Sequence, residues 1–304
     1  MATLAAETAP APVEREFTVR SRSQLQLAVR RFLRNPMAMG GLVTFALMML
    51  GAFLGPHLFS YGFDQQSTTL SAPPGTDGHV FGTDTLGRDV LLLTMRGIQW
   101  SMLMAAVFVV VAVALGVLVG AISGYLGGLT DDLLMRSVDV ILTLPFLAVV
   151  IVISAAFPSA RTPVGIALMI ALLSWMTLAR IVRVQFLSLR EREYVEAAHA
   201  LGASNRRIVL RHLIPNSVGQ ITVWATLGAV GAIGAEAGLS FLGYGVQGSE
   251  ISLGRLVAEG AAAAASRPWL FYFPGLTLLI IVLSVSMIGD GIQDAFDPSA
   301  IRER

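Results

Sequence analysis

Six apolar runs of about twenty residues dominate this chain, and a lipid bilayer is the environment that fits them. A helix needs roughly 20 mostly apolar residues to cross about 30 Å of hydrocarbon. Met37–Phe59, Ser101–Ser123, Val138–Phe157, Val164–Leu187, Val218–Leu242 and Trp269–Gly289 meet that length. Their few charges are Asp139 near an end, Arg180 and Arg183 late in the fourth run, and Glu236 in the fifth. Composition points the same way: 13% of residues are charged, against roughly 25% in soluble domains. The expected fold is therefore all-α: a polytopic membrane protein with six transmembrane helices.

Six spans put both ends of the chain on one side. All 21 basic residues are Arg. With the N-terminus inside, sixteen of them face the cytoplasm and five (Arg88, Arg96, Arg161, Arg255, Arg267) face out. Basic residues favour the cytoplasmic side, so the expectation is N-in, C-in, in the cell (inner) membrane. Trp100, Trp269, Phe271, Tyr272 and Phe273 then form an outer aromatic belt. The first run is too long for a signal peptide and lacks a small-residue cleavage site, so it reads as an uncleaved span.

The domain reading follows from the spans. Residues 1–36 are a cytoplasmic tail, disordered over 1–16, with a weakly amphipathic stretch around Leu25, Leu27, Val29 and Phe32. Residues 37–59 are the first span and 60–99 an extracytoplasmic loop without a core of its own. Residues 100–291 are a five-helix core, and 292–304 a cytoplasmic tail. The loop Gly243–Pro268 has room for a short helix. Gly228, Gly231, Gly234 and Gly238 on the fifth span predict close helix packing.

The long polar segment between spans, Arg190–Asn216, carries most of the functional signal. Tyr194, Ala197, Ala198 and Leu201 share one helical face, with Glu193, Glu196 and His199 elsewhere. Gly202 stops that helix and Ser204 caps a second. The second has Leu210, Leu213 and Ile214 on one side, Arg207 and Arg211 on the other, and is stopped or kinked by Pro215. This is a two-helix unit with a tight bend.

Glu196-Ala197-Ala198, then Gly202 and Pro215 at their spacing, resemble the cytoplasmic EAA loop of bacterial ABC-importer permeases. His212 and Ile214 depart from the family's usual Ile and Leu. The resemblance implies that this loop docks on an ATP-binding subunit through Tyr194, Glu196, Ala197, Ala198, Gly202, Arg207 and Pro215. Further stretches are similar to the second permease of oligopeptide and dipeptide importers: Phe81–Asp89, Gly124–Gly128 with Asp131, Met135-Arg136 and Asp139, Glu236 with Gly238–Gly243, Gly289–Gly291, and Asp294–Pro298. Such a chain is expected to work with a homologous sister permease, two ATP-binding subunits or domains and an extracytoplasmic peptide-binding protein. ATP and Mg would belong to the partner subunits, with no cofactor bound here. A permease for nickel or a metal chelate is the alternative within the group.

The residues themselves identify no enzyme. There is no GxxxxGK[ST] phosphate loop, no H-E-x-x-H and no G-x-S-x-G elbow. The four His are dispersed and there is no Cys, so neither supplies a metal site. The Arg residues are scattered around spans and form no nucleic-acid patch. A proton-coupled carrier would need midplane ionisable groups and repeats. Glu236 lies ~27 Å into its span, near the outer end; as an intramembrane carboxylate it is a gate or binding-protein candidate, and a bond to Ser240 or backbone at a helix break accounts for it equally. Asp139 is expected to pair with Arg136 at i,i+3. Asp84, Arg88 and Asp89 either meet a binding protein or brace the outer mouth.

Overall fold

The computed structural model describes residues 24–59 and 62–296. The predicted disordered tail and the last part of the C-terminal tail lie outside them. Among the described residues the chain is helical. Gln24–Phe32 (α1) precedes Pro36–Leu54 (α2), which ends in a 3-10 turn, Gly55–Leu58. Then come Val90–Leu126 (α3), Gly128–Leu142 (α4), Phe146–Ala156 (α5), Pro163–Leu172 (α6) and Trp175–Arg190 (α7). Glu193–Ala200 (α8) and Asn205–Ile208 (α9) lead through a π turn, Val209–Leu213, into Ile214–Phe241 (α10). Leu253–Ala261 (α11) is the short helix for which the second outer loop has room, and Trp269–Phe296 (α12) closes the chain.

Among the described residues, four helical stretches are long and apolar enough to cross a membrane, and six when each of two bent pairs is one span. The bends are departures from straight third and fourth spans. α4 and α5 turn by 80° around Thr143–Pro145, where Pro145 disfavours helical backbone at Leu144. α6 and α7 turn by 45°. There Ser174 Oγ donates to the Ile170 carbonyl at 2.8 Å, a side-chain bond that competes with the helix ladder.

α3 also differs from expectation, beginning at Val90 rather than Ser101. Asp89 Oδ1 caps it by accepting from Leu92 N–H at 3.0 Å. The helix continues through Arg96 and Gln99 because both have partners. The Arg96 guanidinium lies between the Phe63 and Trp100 rings, 4.9 Å from each centroid. Gln99 Nε2 donates to the Ala52 carbonyl at 2.7 Å. Charge marks where an apolar run stops, not where a helix stops.

Close helix contact falls elsewhere than the α10 glycines. A methyl at Gly231, Gly234 or Gly238 would meet nothing within 4 Å, and only Gly228 faces a near neighbour, Phe108. The tight seam is α3 against α7. A Cβ at Gly116 would lie 2.8 Å from Leu178 Cβ, one at Gly120 2.8 Å from Val182 Cβ, and one at Gly124 2.7 Å from the Arg183 carbonyl oxygen. Lipid tails are as apolar as Leu, so close backbone approach, not apolar burial, selects this helix pair. Leu47, Leu118 and Leu283 remain exposed on the outside of the bundle.

Ion pairs hold α4, which buries few side chains. Arg183 Nε and Nη2 donate to the two oxygens of Asp131 at 2.5 and 2.6 Å, and Ser123 Oγ also donates to Asp131. Asp139 pairs with Arg180 on α7, not with Arg136 on its own helix. The i,i+3 neighbour was near in sequence, but the adjacent helix offers the guanidinium. Arg183→Ala would leave the buried Asp131 with Ser123 alone. We expect a stability loss of about 1–3 kcal/mol, read as a lower midpoint in thermal unfolding of the purified protein. An unchanged midpoint would mean that this bidentate pair does not hold α4.

The loops segregate to two ends. At one, Asn35 Nδ2 donates to Asp294 Oδ2 at 3.1 Å, and Tyr125 OH to Asn205 Oδ1 at 2.9 Å. The first turns of α10 reach the end of α12 there, at Gly219 and Phe296. At the other end, Trp269 Nε1 donates to the Thr83 carbonyl at 3.2 Å, and Phe81 stacks on Phe273 at 4.1 Å. Trp269 and Phe273 thus pack against residues 62–89 in addition to any interfacial role.

Candidate functional site

The segment from α7 to α10 is a compact unit with one side buried and one exposed. Val195, Ile208 and Leu213 are its buried anchors, packed with Val182 and Phe186 of α7. The predicted face of Tyr194, Ala197, Ala198 and Leu201 does not turn inward. Only Ala198 is half-buried against the core; Tyr194 is 42% and Leu201 88% exposed. Val195, absent from that reading, fixes the helix to the protein. Apolar character alone cannot say whether a face meets its own chain or another.

The bend has defined backbone chemistry. Gly202 has φ +79°, the left-handed region. Its N–H donates to the His199 carbonyl at 2.9 Å, and Ala203 N–H to the Ala198 carbonyl at 3.0 Å. These two bonds are the Schellman closure of a helix end. A Cβ at Gly202 would meet nothing within 4 Å, so conformation and not space calls for glycine here. Ser204 Oγ then accepts from Arg207 N–H at 3.4 Å, capping α9.

Pro215 does not end the second helix. The π turn at Val209–Leu213 precedes it, and Pro215 lies in the first turn of α10, where its missing N–H leaves little unsatisfied. The segment from Asn205 therefore runs into the long helix without a break. Within it, Asn216 Nδ2 donates to the His212 carbonyl at 2.5 Å. Tyr194 and His212 rings lie 6.1 Å apart. Tyr125, at the end of α3, reaches Asn205 and His199 of this segment. Tyr125 lies in the family-like stretch Gly124–Gly128, but its contact with Asn205, 80 residues away, has no signal in the sequence. Glu196, Ala197 and Arg207 are exposed on the same unit.

The outer candidates are internally engaged. Asp84 Oδ1 accepts from Leu86 and Arg88 N–H, both at 2.8 Å, and Oδ2 from the Arg88 guanidinium at 2.7 Å. Asp89 Oδ2 contacts His79 Nδ1 at 2.7 Å while Oδ1 caps α3. Both carboxylates thus brace residues 62–89, whose backbone closes on itself through Ser71 N–H to Asp84 O and Thr83 N–H to Ala72 O. Asp84 and Arg88 also line a cavity of about 240 Å³ under α11, with Glu259 and Arg267.

Glu236 is fully buried. Its Oε1 accepts from Ser240 Oγ at 2.7 Å and from Ser252 Oγ at 2.5 Å. Ser252 caps α11 in turn, accepting from Arg255 N–H at 3.1 Å. The carboxylate therefore ties the C-terminal end of α10 to the start of α11. The Ser240 bond follows from i,i+4 spacing; Ser252, beyond the loop, has no such signal.

A groove of about 620 Å³ lies between α3 and α10, beside residues 209–221. Its walls are apolar and include Val113, Val117, Ala121, Leu210 and Val218, with Tyr125 among them. No group of three or more His, Cys, Asp or Glu suited to a metal occurs among the described residues.

This helix arrangement is the fold of an ABC-importer permease. One chain in an inward-facing structure of the MetNI methionine ABC transporter superposes with a TM-score of 0.53 at 18% identity, covering 67% of this chain and 96% of that one. Residues 116–302 match the family described as binding-protein-dependent transport system inner membrane component, and residues 23–74 the N-terminal TM domain of oligopeptide transport permease C. The chain belongs to this family of inner-membrane ABC permeases. It is 40% identical over 279 residues to the oligopeptide transport system permease protein OppC of Mycobacterium tuberculosis H37Rv, covering 91% of this chain and 96% of that protein. The OppC proteins of Haemophilus influenzae (40%, covering 93% and 91%) and Bacillus subtilis (36%, covering 89% and 88%) are similar over comparable lengths.

Proposed function

We propose that this chain forms half of the translocation pathway of an ATP-driven importer of oligopeptides or dipeptides, and that residues 190–216 seat it on the ATP-binding subunits. The observation carrying this reading is the coupling segment. Leu201 and Tyr194 are exposed on a unit whose other side is anchored by Val195, Ile208 and Leu213. A capped, rigid, partly apolar knob joined without a break to α10 suits a socket in a motor subunit. Glu196 and Arg207 supply polar contacts at its rim. The relatives' names favour peptides over a metal chelate.

The remaining partners follow from the exposed faces. Gly231, Gly234 and Gly238 on α10 offer close backbone approach to a helix of a sister permease. ATP hydrolysis falls to the partners, with ATP and Mg bound there. The outer end, braced by Asp84, Arg88, Asp89 and Glu236, is the side for a peptide-binding protein. In this reading the coupling segment and both termini are cytoplasmic.

Orientation is open to a direct check, since the natural chain has no Cys. In intact cells an impermeant thiol reagent should label Asp77→Cys and spare His199→Cys until the membrane is opened. The reverse pattern would invert the topology and remove the coupling segment from any cytoplasmic motor.

A further inference from the structure

We propose that α1 and the turn after it form a binding site for the phosphate headgroup of an anionic phospholipid. Depth comes first. The apolar run of α12 ends at Gly289, after twenty-one residues from Trp269, or about 30 Å of rise, the thickness of the hydrocarbon layer. Asp290 and Asp294 follow. α1 packs beyond that limit: Phe32 lies against Gly291, and Arg31 Nη1 donates to the Ala295 carbonyl at 3.4 Å. Asn35, between α1 and α2, holds Asp294 and caps α2 by accepting from Met37 N–H at 3.0 Å. α1 therefore lies at the level of lipid headgroups, on the side of the coupling segment.

Its two sides differ. Ala28 is buried and Phe32 half-buried toward α12. The opposite side is an open groove of about 450 Å³ lined by Gln26, Val29, Arg30, Leu33 and Arg34. Arg30 and Arg34 are one helical turn apart, and neither has an ion-pair partner among the described residues. Val29 and Leu33 are exposed beside them in the same groove. Two planar guanidinium groups beside exposed aliphatic side chains fit a phosphate with the first carbons of its acyl chains. Zwitterionic lipid lacks the net charge that repays two unpaired Arg.

The other candidate occupant is the chain's own residues 1–23, which include Glu7, Glu14 and Glu16. The test separates the two. A spin label on Leu27→Cys, outside the groove lining, reports α1 mobility in the full chain. The chain is reconstituted with its partner subunits in nanodiscs of phosphatidylcholine with rising fractions of phosphatidylglycerol. The label should immobilise as phosphatidylglycerol rises. In Arg30→Gln/Arg34→Gln the midpoint should move up about thirtyfold, from about 1 kcal/mol or fivefold per basic residue near an anionic surface. Arg30→Lys/Arg34→Lys should keep most of the response, showing that charge and not fold is read. Mobility that ignores phosphatidylglycerol, or an equal response in the Gln pair, would overturn the site. A response to phosphatidylglycerol that appears only when residues 1–23 are deleted would assign the groove to that segment and overturn it as well.

Discussion

Gly124→Val is expected to lower the amount of this protein in the membrane severalfold. Its Cβ would fall 2.7 Å from the Arg183 carbonyl oxygen and 2.7 Å from Phe186 Cβ. Neither neighbour is the free end of a flexible side chain, so α3 and α7 must separate. Overpacking of this kind typically costs 1–3 kcal/mol, and more where backbone must move. The same seam holds Asp131–Arg183, and α7 leads directly into residues 190–216. Gly124→Ala should be milder but still visible, since its added carbon meets the same two atoms. The check is membrane level by quantitative blotting together with the thermal midpoint of the purified protein. Wild-type values for the valine variant would mean that the α3–α7 contact is not close in the folded protein.

Gly202→Val should behave in the opposite way: normal membrane level with transport largely lost. At φ +79° a β-branched residue is strained by about 1–2 kcal/mol, enough to unmake the bend but not a bundle held along α3 and α7. The open space around Gly202 excludes a clash within the chain. Gly202→Asn, which tolerates the left-handed region, should retain more transport than Gly202→Val. Glu196→Ala should be milder still, because an exposed ion pair is usually worth about 0–1 kcal/mol. Peptide uptake and recovery of the ATP-binding subunits, measured side by side, read these differences. Full uptake by Gly202→Val would show that the bend does not position the motor.

Much of this organisation is legible before any coordinates, and the misses have physical causes. Apolar runs mark the spans because lipid demands them, yet α3 starts early, since Arg96 and Gln99 find partners that a sequence window does not see. Pro145 announces the sharp bend after α4, whereas the bend at Ser174 rests on one side-chain hydrogen bond. Glycine spacing is ambiguous in the same way. Within this chain only Gly228 of the α10 series meets a neighbour, Phe108, while Gly116, Gly120 and Gly124 of α3 make the tightest seam.

In the candidate site, local chemistry is readable and orientation is not. Gly202 and Ser204 declare a stop and a cap through their own backbone preferences. Which face of α8 is buried depends on α7, so the sequence groups Tyr194 with Leu201 but does not mark Val195 as the buried anchor. Asp139 pairing with Arg180 and Glu236 with Ser252 are likewise choices made by neighbouring elements. Asp84 and Asp89 carry a turn and a helix cap that their spacing permits but does not demand.

The central claim, a permease that imports peptide only through borrowed ATP hydrolysis, is most directly tested in proteoliposomes. This chain is reconstituted with a sister permease, ATP-binding subunits and a peptide-binding protein, and uptake of labelled peptide is followed with and without ATP. We expect ATP-dependent uptake from the complete set, none when this chain is omitted, and no ATP hydrolysis by the purified chain alone. Undiminished uptake without this chain, or robust ATP hydrolysis by the chain in isolation, would contradict the account.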